Sequence, residues 1–131
     1  MKYIDANIFV SGAVGDSHAK ALLIKIASGE LKAATSLLSW DEFVWALRKY
    51  CSSTQVNTES SKFLEFPHLM FFIIDNATVR LAHELMEKYG LHPRDALHAA
   101  SALKHGITEI VSDDSHFDKV KELGRIPLND I

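Results

Sequence analysis

The chain has little sulfur chemistry available, because Cys51 is its single cysteine among 131 residues. One thiol can form neither a disulfide framework nor a thiolate zinc site within one chain, so we expect a reducing compartment. No apolar run approaches the roughly 20 residues of a membrane span, and the N-terminus lacks the continuous apolar stretch of a signal peptide. These absences predict a cytoplasmic protein that does not enter a membrane.

Excess positive charge is absent as well. The formal net charge of −3 argues against a protein that coats nucleic acid with a broad basic surface. It does not argue against a nuclease, because an enzyme that cuts a phosphodiester can bring its positive charge as bound metal. The 47% apolar composition suffices for one packed core. With no repeat, low-complexity tract or linker, we predict a single domain over residues 1–131.

Hydrophobic spacing predicts an alternation of strands and helices along the chain. The predicted strands cover residues 3–10, 32–36, 69–75, 109–112 and 125–128. The predicted helices cover residues 19–29, 37–50, 58–66, 77–89, 93–106 and 117–123, with Ser36 as an N-cap and residues 51–57 as the most loop-like stretch. This alternation predicts a three-layer α/β/α fold with a mostly parallel, doubly wound central sheet.

Four carboxylates interrupt apolar stretches at widely separated positions, namely Asp5, Glu42, Asp95 and Asp114. A carboxylate in an apolar segment is costly to desolvate unless it is paired, hydrogen-bonded or bound to a cation. In an open α/β sheet, ligands collect beyond the carboxyl ends of the strands, where the strand order reverses. Because the acids fall near the ends of predicted elements, the four together predict a metal site at one edge of the sheet.

Each acid taken alone also has an ordinary structural explanation. Asp5 can be a turn or N-cap residue, and Asp113 and Asp114 can cap the helix that follows them. Asp95 lies in the first turn of a predicted helix, where a negative charge favours the positive helix end. Glu42 can be an exposed acid of the same kind. The combination of the four carries the prediction, because no single acid is specific.

Histidine is the other potential metal ligand, with seven in the chain. None pairs as His-Glu-x-x-His or with a ligand-spaced cysteine, so a zinc site is weakly supported. The seven include His92, His98, His105 and His116, and most of the histidines are expected at the surface or in helix packing. His98, three residues after Asp95, can line the same side of its helix and is a minor supporting candidate. Glycine-rich phosphate loops and a Gly-x-Ser-x-Gly elbow are absent.

The order of the motifs resembles the PIN domain family, and in size and layout the VapC-type ribonuclease toxins. The resemblance covers almost the whole chain, and its specific parts are Asp5-Ala-Asn7, Ser36 through Ser39-x-x-Glu42, Arg94-Asp95-Ala-Leu-His-Ala-Ala and Ser112-Asp113-Asp114-Ser-His-Phe117. Spacing from Ser39 selects Glu42 over Asp41 in the family pattern. The pattern Ser112-x-Asp114 likewise selects Asp114, so Asp113 is expected in a more exposed position.

The resemblance implies a metal-dependent endoribonuclease that hydrolyses RNA phosphodiesters with Mg²⁺ or Mn²⁺. Oxygen-rich sites suit these hard cations, which can orient a phosphate, lower the pKa of a bound water and stabilise charge on the leaving oxygen. The implied catalytic and metal-binding residues are Asp5, Glu42, Asp95 and Asp114. The implied polar supports for substrate, water or carboxylates are Asn7, Ser36, Ser112 and Asp113.

The resemblance also implies partners, because similar toxins dimerise and are inhibited by an antitoxin encoded beside them. We therefore expect a homodimer and a cognate antitoxin in addition to the RNA substrate. The apolar helix around Trp40 and Trp45 can serve either contact, although core packing is the main expected destination of its apolar residues.

Two other classes of protein share some of these features. A PIN-like module that binds RNA or a protein without cutting would carry the same acids, so a cleavage assay with a metal titration has to separate it from a nuclease. A phosphoacceptor receiver domain also has a doubly wound sheet and clustered aspartates, but it normally presents an acidic pair after the first strand and a lysine after the last. Here Asp5 is solitary and Pro127 occupies the late strand, which disfavours a receiver.

Overall fold

A five-stranded, entirely parallel sheet forms the centre of the computed structural model, which describes residues 1–131. Its strands are β1 (Lys2–Ile4), β2 (Ala33–Ser36), β3 (Leu69–Phe72), β4 (Glu109–Val111) and β5 (Gly124–Ile126), in the order β3-β2-β1-β4-β5. The six helices are α1 (Ala6–Ala13), α2 (Ser17–Ala27), α3 (Leu38–Leu47), α4 (Ser53–Leu64), α5 (Asn76–Tyr89) and α6 (Pro93–Lys104). Two short 3-10 helices cover Ser115–Lys119 and Leu128–Asp130.

Apolar side chains cover both faces of this sheet, which confirms the predicted three-layer α/β/α arrangement. Helices α5 and α6 pack on one face, against Tyr3 and Ile110. Helices α1 to α4 pack on the other face, against Ile4 and Val111. Tyr3 and Ile4 are neighbours in β1, and because successive strand residues point to opposite faces, both are fully buried. The alternation of strands and helices in the sequence therefore predicts the layers correctly.

The first strand is shorter than the apolar pattern predicts. We expected a strand over residues 3–10, whereas β1 ends at Ile4 and α1 begins at Ala6. Periodicity does not separate a short buried strand from a buried helix segment, and Ile8 and Phe9 are buried on the inner side of α1. The correction places Asp5 at the junction of strand and helix, with an extended backbone (φ −72°, ψ 151°).

Two predictions in the middle of the chain were also wrong. Residues 51–57 are not a loop, because α4 begins at Ser53 behind a capping box in which Ser52 and Gln55 exchange hydrogen bonds. The polar composition of residues 51–57 is typical of a loop and gives no indication that a helix begins there. Ser36 is the last residue of β2 and not an N-cap, and α3 follows Leu37 without any side-chain cap.

The other predicted elements are present with small shifts of their ends. Helix α6 begins at Pro93, and α5 ends before Gly90, whose left-handed backbone (φ 68°) glycine adopts at little cost. The predicted helix over residues 117–123 is replaced by the 3-10 helix Ser115–Lys119. None of the helices is long and apolar enough to cross a membrane.

The strand order reverses beside β1, and this reversal positions the candidate site. The chain passes from β1 outward to β2 and β3, and then adds β4 on the other side of β1. At the carboxyl edge, the backbone N–H of Asp5 donates to the carbonyl of Val111 at 3.1 Å. Open α/β sheets bind ligands in the crevice at such a switch point. Asp5 follows β1 and Ser112 follows β4, so both residues lie where a ligand is expected.

Candidate metal centre

Four carboxylates line one pocket at this edge of the sheet, and they are Asp5, Glu42, Asp95 and Asp114. They come from the β1–α1 junction, the second turn of α3, the first turn of α6 and the segment after β4. Asn7 and Ala46 form part of the same pocket wall. The fold thus brings together acids that are separated by more than a hundred residues of sequence.

Asp5 is the most buried of the four acids, with 6% of its surface exposed. Its carboxylate does not cap α1. Instead, Oδ2 accepts a hydrogen bond from the hydroxyl of Ser112 at 2.6 Å. Burial raises the pKa of Asp5, while His98 and the Ser112 hydroxyl oppose that rise. The carboxylate is therefore held in one orientation in a place where its negative charge is poorly solvated.

Ser112 connects several parts of the site through one buried hydroxyl. Besides donating to Asp5, its Oγ accepts from Asn7 Nδ2 at 3.4 Å and from the backbone N–H of Asp114 at 3.0 Å. The amide oxygen of Asn7 is buried and has no hydrogen-bond partner in the protein. A buried amide oxygen without a partner is a group that a cation or a water molecule satisfies.

His98 is buried beneath the carboxylates, with 1% of its surface exposed. A hydrogen bond of 2.7 Å joins its Nδ1 to the hydroxyl of Tyr3, which also accepts from the backbone N–H of Ser36 at 3.1 Å. Its Nε2 contacts Glu42 Oε1 and lies 3.8 Å from Asp5 Oδ1. Burial lowers the pKa of His98, but Tyr3, Glu42 and Asp5 together raise it well above its ordinary value. We call Asp5, Asn7, Glu42, His98 and Ser112 the inner half of the site.

Asp95, Asp114 and His116 form a more exposed outer half. Their side chains are 17%, 32% and 50% exposed, respectively. His116 Nδ1 lies 2.9 Å from Asp114 Oδ1 and 3.6 Å from Asp95 Oδ2. Asp114 Oδ1 also accepts the backbone N–H of His116 at 2.9 Å. Burial and the neighbouring Asp114 raise the pKa of Asp95, so the two carboxylates repel each other across the pocket.

The donor atoms of the two halves fit a divalent metal ion. Possible ligand atoms of Asp5, Glu42 and His98 lie within 4.8 Å of one another, and so do those of Asp95, Asp114 and His116. Carboxylate and amide oxygens are the preferred ligands of hard divalent cations. The unpartnered amide oxygen of Asn7 and the raised pKa values of Asp5 and Asp95 are the features that a bound cation would relieve. The acidic cluster can therefore hold a metal.

Asp41 and Asp113 are the neighbouring acids that the family pattern does not select, and both lie outside the pocket. Asp113 is exposed, and its Oδ1 accepts the backbone N–H of Leu128 at 2.9 Å, which ties down the C-terminal segment. Asp41 is exposed and lies 3.9 Å from Arg94. Ser36 also stays out of the pocket lining, because its side chain is fully buried and its hydroxyl has no partner.

Two residues in contact with the site were not singled out from the sequence. Tyr3 lies two positions before Asp5 in the chain, yet its partner His98 is 95 positions away, so no local spacing indicates the pair. The sequence gives His116 no stronger signal than the other histidines, most of which are expected at the surface or in helix packing. Its position two residues after Asp114 was the available signal, since a 3-10 turn brings such a side chain back to the carboxylate.

A family model described as the PIN domain matches residues 2–123 of the chain, while no curated protein matches the sequence. The fold is similar to a toxin-antitoxin complex from Klebsiella pneumoniae (TM-score 0.75, 20% identity, 100% of both chains covered). It is also similar to VapBC2 from Rickettsia felis bound to a promoter DNA fragment (TM-score 0.76, 20% identity, 97% of this chain and 98% of that chain). VapC20 from Mycobacterium tuberculosis, a Sarcin-Ricin loop cleaving toxin, is similar at TM-score 0.75 and 16% identity, over 92% of this chain and 95% of that chain.

Proposed function

The chain belongs to the PIN domain family, and from that premise we propose that it is a metal-dependent endoribonuclease that hydrolyses RNA phosphodiesters. The observation that carries the proposal is the convergence of four carboxylates, from four separate segments, on one pocket at the switch point of the sheet. The four acids are far apart in the sequence, so their convergence does not follow from proximity along the chain. Acids that only cap helices would have no reason to face one another. We propose that a single PIN-like domain spanning residues 1–131 carries this ribonuclease activity.

We assign the metal to the four carboxylates, Asp5, Glu42, Asp95 and Asp114, with Mg²⁺ or Mn²⁺ as the ion. When bound, such an ion supplies positive charge toward the phosphate and the leaving oxygen and makes a water more acidic. The protein groups then have separate tasks. Ser112 fixes the orientation of Asp5, and His98 holds Glu42 in the pocket. Asn7 offers an oxygen to the ion or to a water.

Few cationic side chains surround the pocket. This agrees with an RNA substrate whose phosphate is bound mainly by the positive charge of the metal. Arg94 lines the outer side of the site, together with His92 and His116. Its side chain is 63% exposed and is 3.9 Å from Asp41, so it can turn toward a phosphate at little cost. Because exposed ion pairs contribute little stability, Arg94 is free to act in RNA binding.

The proposed biological role is the toxin of a type II toxin-antitoxin pair. The support is the similarity in fold to proteins whose structures are described as toxin-antitoxin complexes. An antitoxin should be encoded by a small neighbouring gene with a DNA-binding N-terminus. Co-expression of that gene should give a complex that no longer cleaves RNA, whereas a neighbour that neither binds nor inhibits would contradict the toxin role.

We further propose that the chain forms a homodimer. Phe43 and Leu47 of α3 are buried in the core, so they are not available to a partner. Trp45, Ile73 and Val79 are 62%, 70% and 51% exposed, respectively, so they are available for apolar contacts with a second copy. Light scattering should give twice the 14.6 kDa mass of one chain. A mass of one chain at every concentration would contradict the dimer.

The test of the proposed activity is cleavage of single-stranded or looped RNA with added Mg²⁺ or Mn²⁺. Cleavage should be lost in EDTA and in Asp95→Asn, because the amide keeps the shape of the side chain and removes the charge that holds the cation. Asp113→Asn is the matched control, since this neighbouring acid lies outside the pocket and should leave cleavage intact. RNA binding without any cleavage by the wild type would favour the non-catalytic PIN-like module.

A further inference from the structure

The outer half of the site contains a nitrogen donor that Mg²⁺ does not favour. We propose that Asp95, Asp114 and His116 form a metal subsite that prefers a first-row transition-metal dication to Mg²⁺, with His116 Nδ1 as a direct ligand. This assignment rests on the metal site proposed above and adds to it a ligand and a preference. His116 gives the outer half a nitrogen donor, whereas both ring nitrogens of His98 in the inner half already contact protein groups.

The distances among the three side chains support a shared ion. Adjacent ligand atoms around an octahedral ion with bonds of about 2.1 Å are separated by about 3 Å, and opposite ones by about 4.2 Å. His116 Nδ1 lies 2.9 Å from the Asp114 oxygen and 3.6 Å from the Asp95 oxygen, and all three possible ligand atoms lie within 4.8 Å of one another. The two separations from His116 Nδ1 therefore fall within the range for two ligands of one ion.

The donor chemistry sets the preference. Mg²⁺ binds oxygen and gives up water reluctantly, so an imidazole nitrogen adds little to its affinity. First-row transition metals accept imidazole, and their affinity for mixed nitrogen and oxygen sites rises from Mn²⁺ through Co²⁺ to Ni²⁺. With two carboxylates and one imidazole, the outer half should bind in the order Mg²⁺, Mn²⁺, Co²⁺, from weakest to strongest.

The other two histidines near the pocket, His98 and His92, are not candidates for this nitrogen ligand. His98 is 1% exposed, and both of its ring nitrogens already contact partners, Tyr3 and Glu42. His92 is exposed beside His116, with ring centroids 5.6 Å apart, but it is not one of the three clustered ligands. His116 is half exposed, so it can exchange its contact with Asp114 for an ion without any change in the core.

The test is metal binding to the purified, metal-free full chain in the absence of RNA. Isothermal titration with Mg²⁺, Mn²⁺ and Co²⁺ should compare the wild type with His116→Ala, His116→Asp and His92→Ala. We expect His116→Ala to weaken Co²⁺ and Mn²⁺ by about tenfold or more and Mg²⁺ by less than about twofold. His116→Asp, with an oxygen donor, should lose the preference while retaining Mg²⁺. His92→Ala should match the wild type.

Pulsed paramagnetic resonance of bound Mn²⁺ gives a second, direct readout. The wild type should show coupling to an imidazole nitrogen, and His116→Ala should lose it. Equal loss of Mg²⁺ and Co²⁺ affinity, unchanged affinities, or a nitrogen coupling that persists in His116→Ala would overturn the inference. If Asp5→Asn weakens metal binding while His116→Ala does not, the result supports the proposed metal site and contradicts His116 as a ligand. If the wild type binds no cation, both are overturned.

Discussion

The inner and outer halves of the site differ in how firmly their side chains are held. In the inner half, Asp5 is fixed by Ser112, and Glu42 is fixed by His98, which Tyr3 holds from behind. The outer half consists of partly exposed side chains at a helix start and after a strand. The inner half is thus preorganised by hydrogen bonds that link β1, α3, α6 and the segment after β4, whereas the outer half can adjust to what it binds.

The inner half is therefore a rigid set of possible metal ligands, and the outer half is an adjustable set. Buried ligands in fixed orientations hold an ion without reorganisation, and the loss of a hydrogen bond that supports such a ligand typically weakens metal affinity by about 10- to 100-fold. Exposed ligands can exchange contacts with water, ion and phosphate. We therefore expect substitutions that break support in the inner half to be costly and substitutions in the outer half to change ion preference with little effect on folding.

Ser112→Ala should have the largest effect on stability. It leaves the buried Asp5 carboxylate without its donor and removes the acceptor of Asn7 and of the Asp114 N–H, which should lower the free energy of unfolding by about 2–3 kcal/mol. Urea unfolding measures this value. Ser36→Ala is the matched control, because this serine is equally buried but its hydroxyl has no partner, so its loss should be nearly neutral. Similar values for the two variants would break the distinction.

Tyr3→Phe should come next, with a loss of about 1–2 kcal/mol. The variant keeps the ring in the core but removes the hydroxyl that contacts His98 and accepts the Ser36 N–H. Denaturant unfolding gives the stability, and a metal titration of the same variant shows whether Glu42 is still held for the ion. If stability and metal affinity both equal those of the wild type, Tyr3 does not organise the inner half.

The convergence of the acids is easier to anticipate from the sequence than the contacts that Tyr3 and His98 make behind them, for physical reasons. A carboxylate in an apolar segment is visible locally, and strand ends meet at one edge, so Asp5 and Asp114 can be anticipated. The pair Tyr3 and His98 depends on packing between β1 and α6, which no spacing records. The resemblance implies Ser36 as a polar support, and its side chain is buried at the end of β2, outside the pocket lining.

Asp95→Asn should raise the melting temperature of the metal-free protein at neutral pH by up to about 4 °C, roughly the shift that 1 kcal/mol produces. Burial and Asp114 raise the pKa of Asp95 above its ordinary 3.8. A raised carboxyl pKa means that the folded protein loses stability as the pH rises above that ordinary value, and the amide escapes this loss. Calorimetry should show the difference at pH 7 and none near about pH 3. A variant that melts lower at pH 7 would show that the outer acids do not repel each other.

His116→Ala should have the smallest effect on folding, within about 0.5 kcal/mol of the wild type, because its side chain is half exposed and lies beside two carboxylates and the exposed His92 ring. Thermal unfolding of the metal-free protein measures it. A loss above about 1 kcal/mol would mean that His116 supports the fold, and the proposed freedom of the outer half would be wrong.

The most direct test of the proposed nuclease is the single-turnover cleavage rate of RNA by the wild type and by Asp5→Asn, each with saturating Mn²⁺. Both proteins must be free of host ribonucleases and shown to be folded. We expect a decrease of about 10³-fold or more in the variant, because a metal contribution of several kcal/mol to the transition state corresponds to such a factor. Equal rates in the two proteins would remove Asp5 from the mechanism and contradict the proposed metal-dependent nuclease.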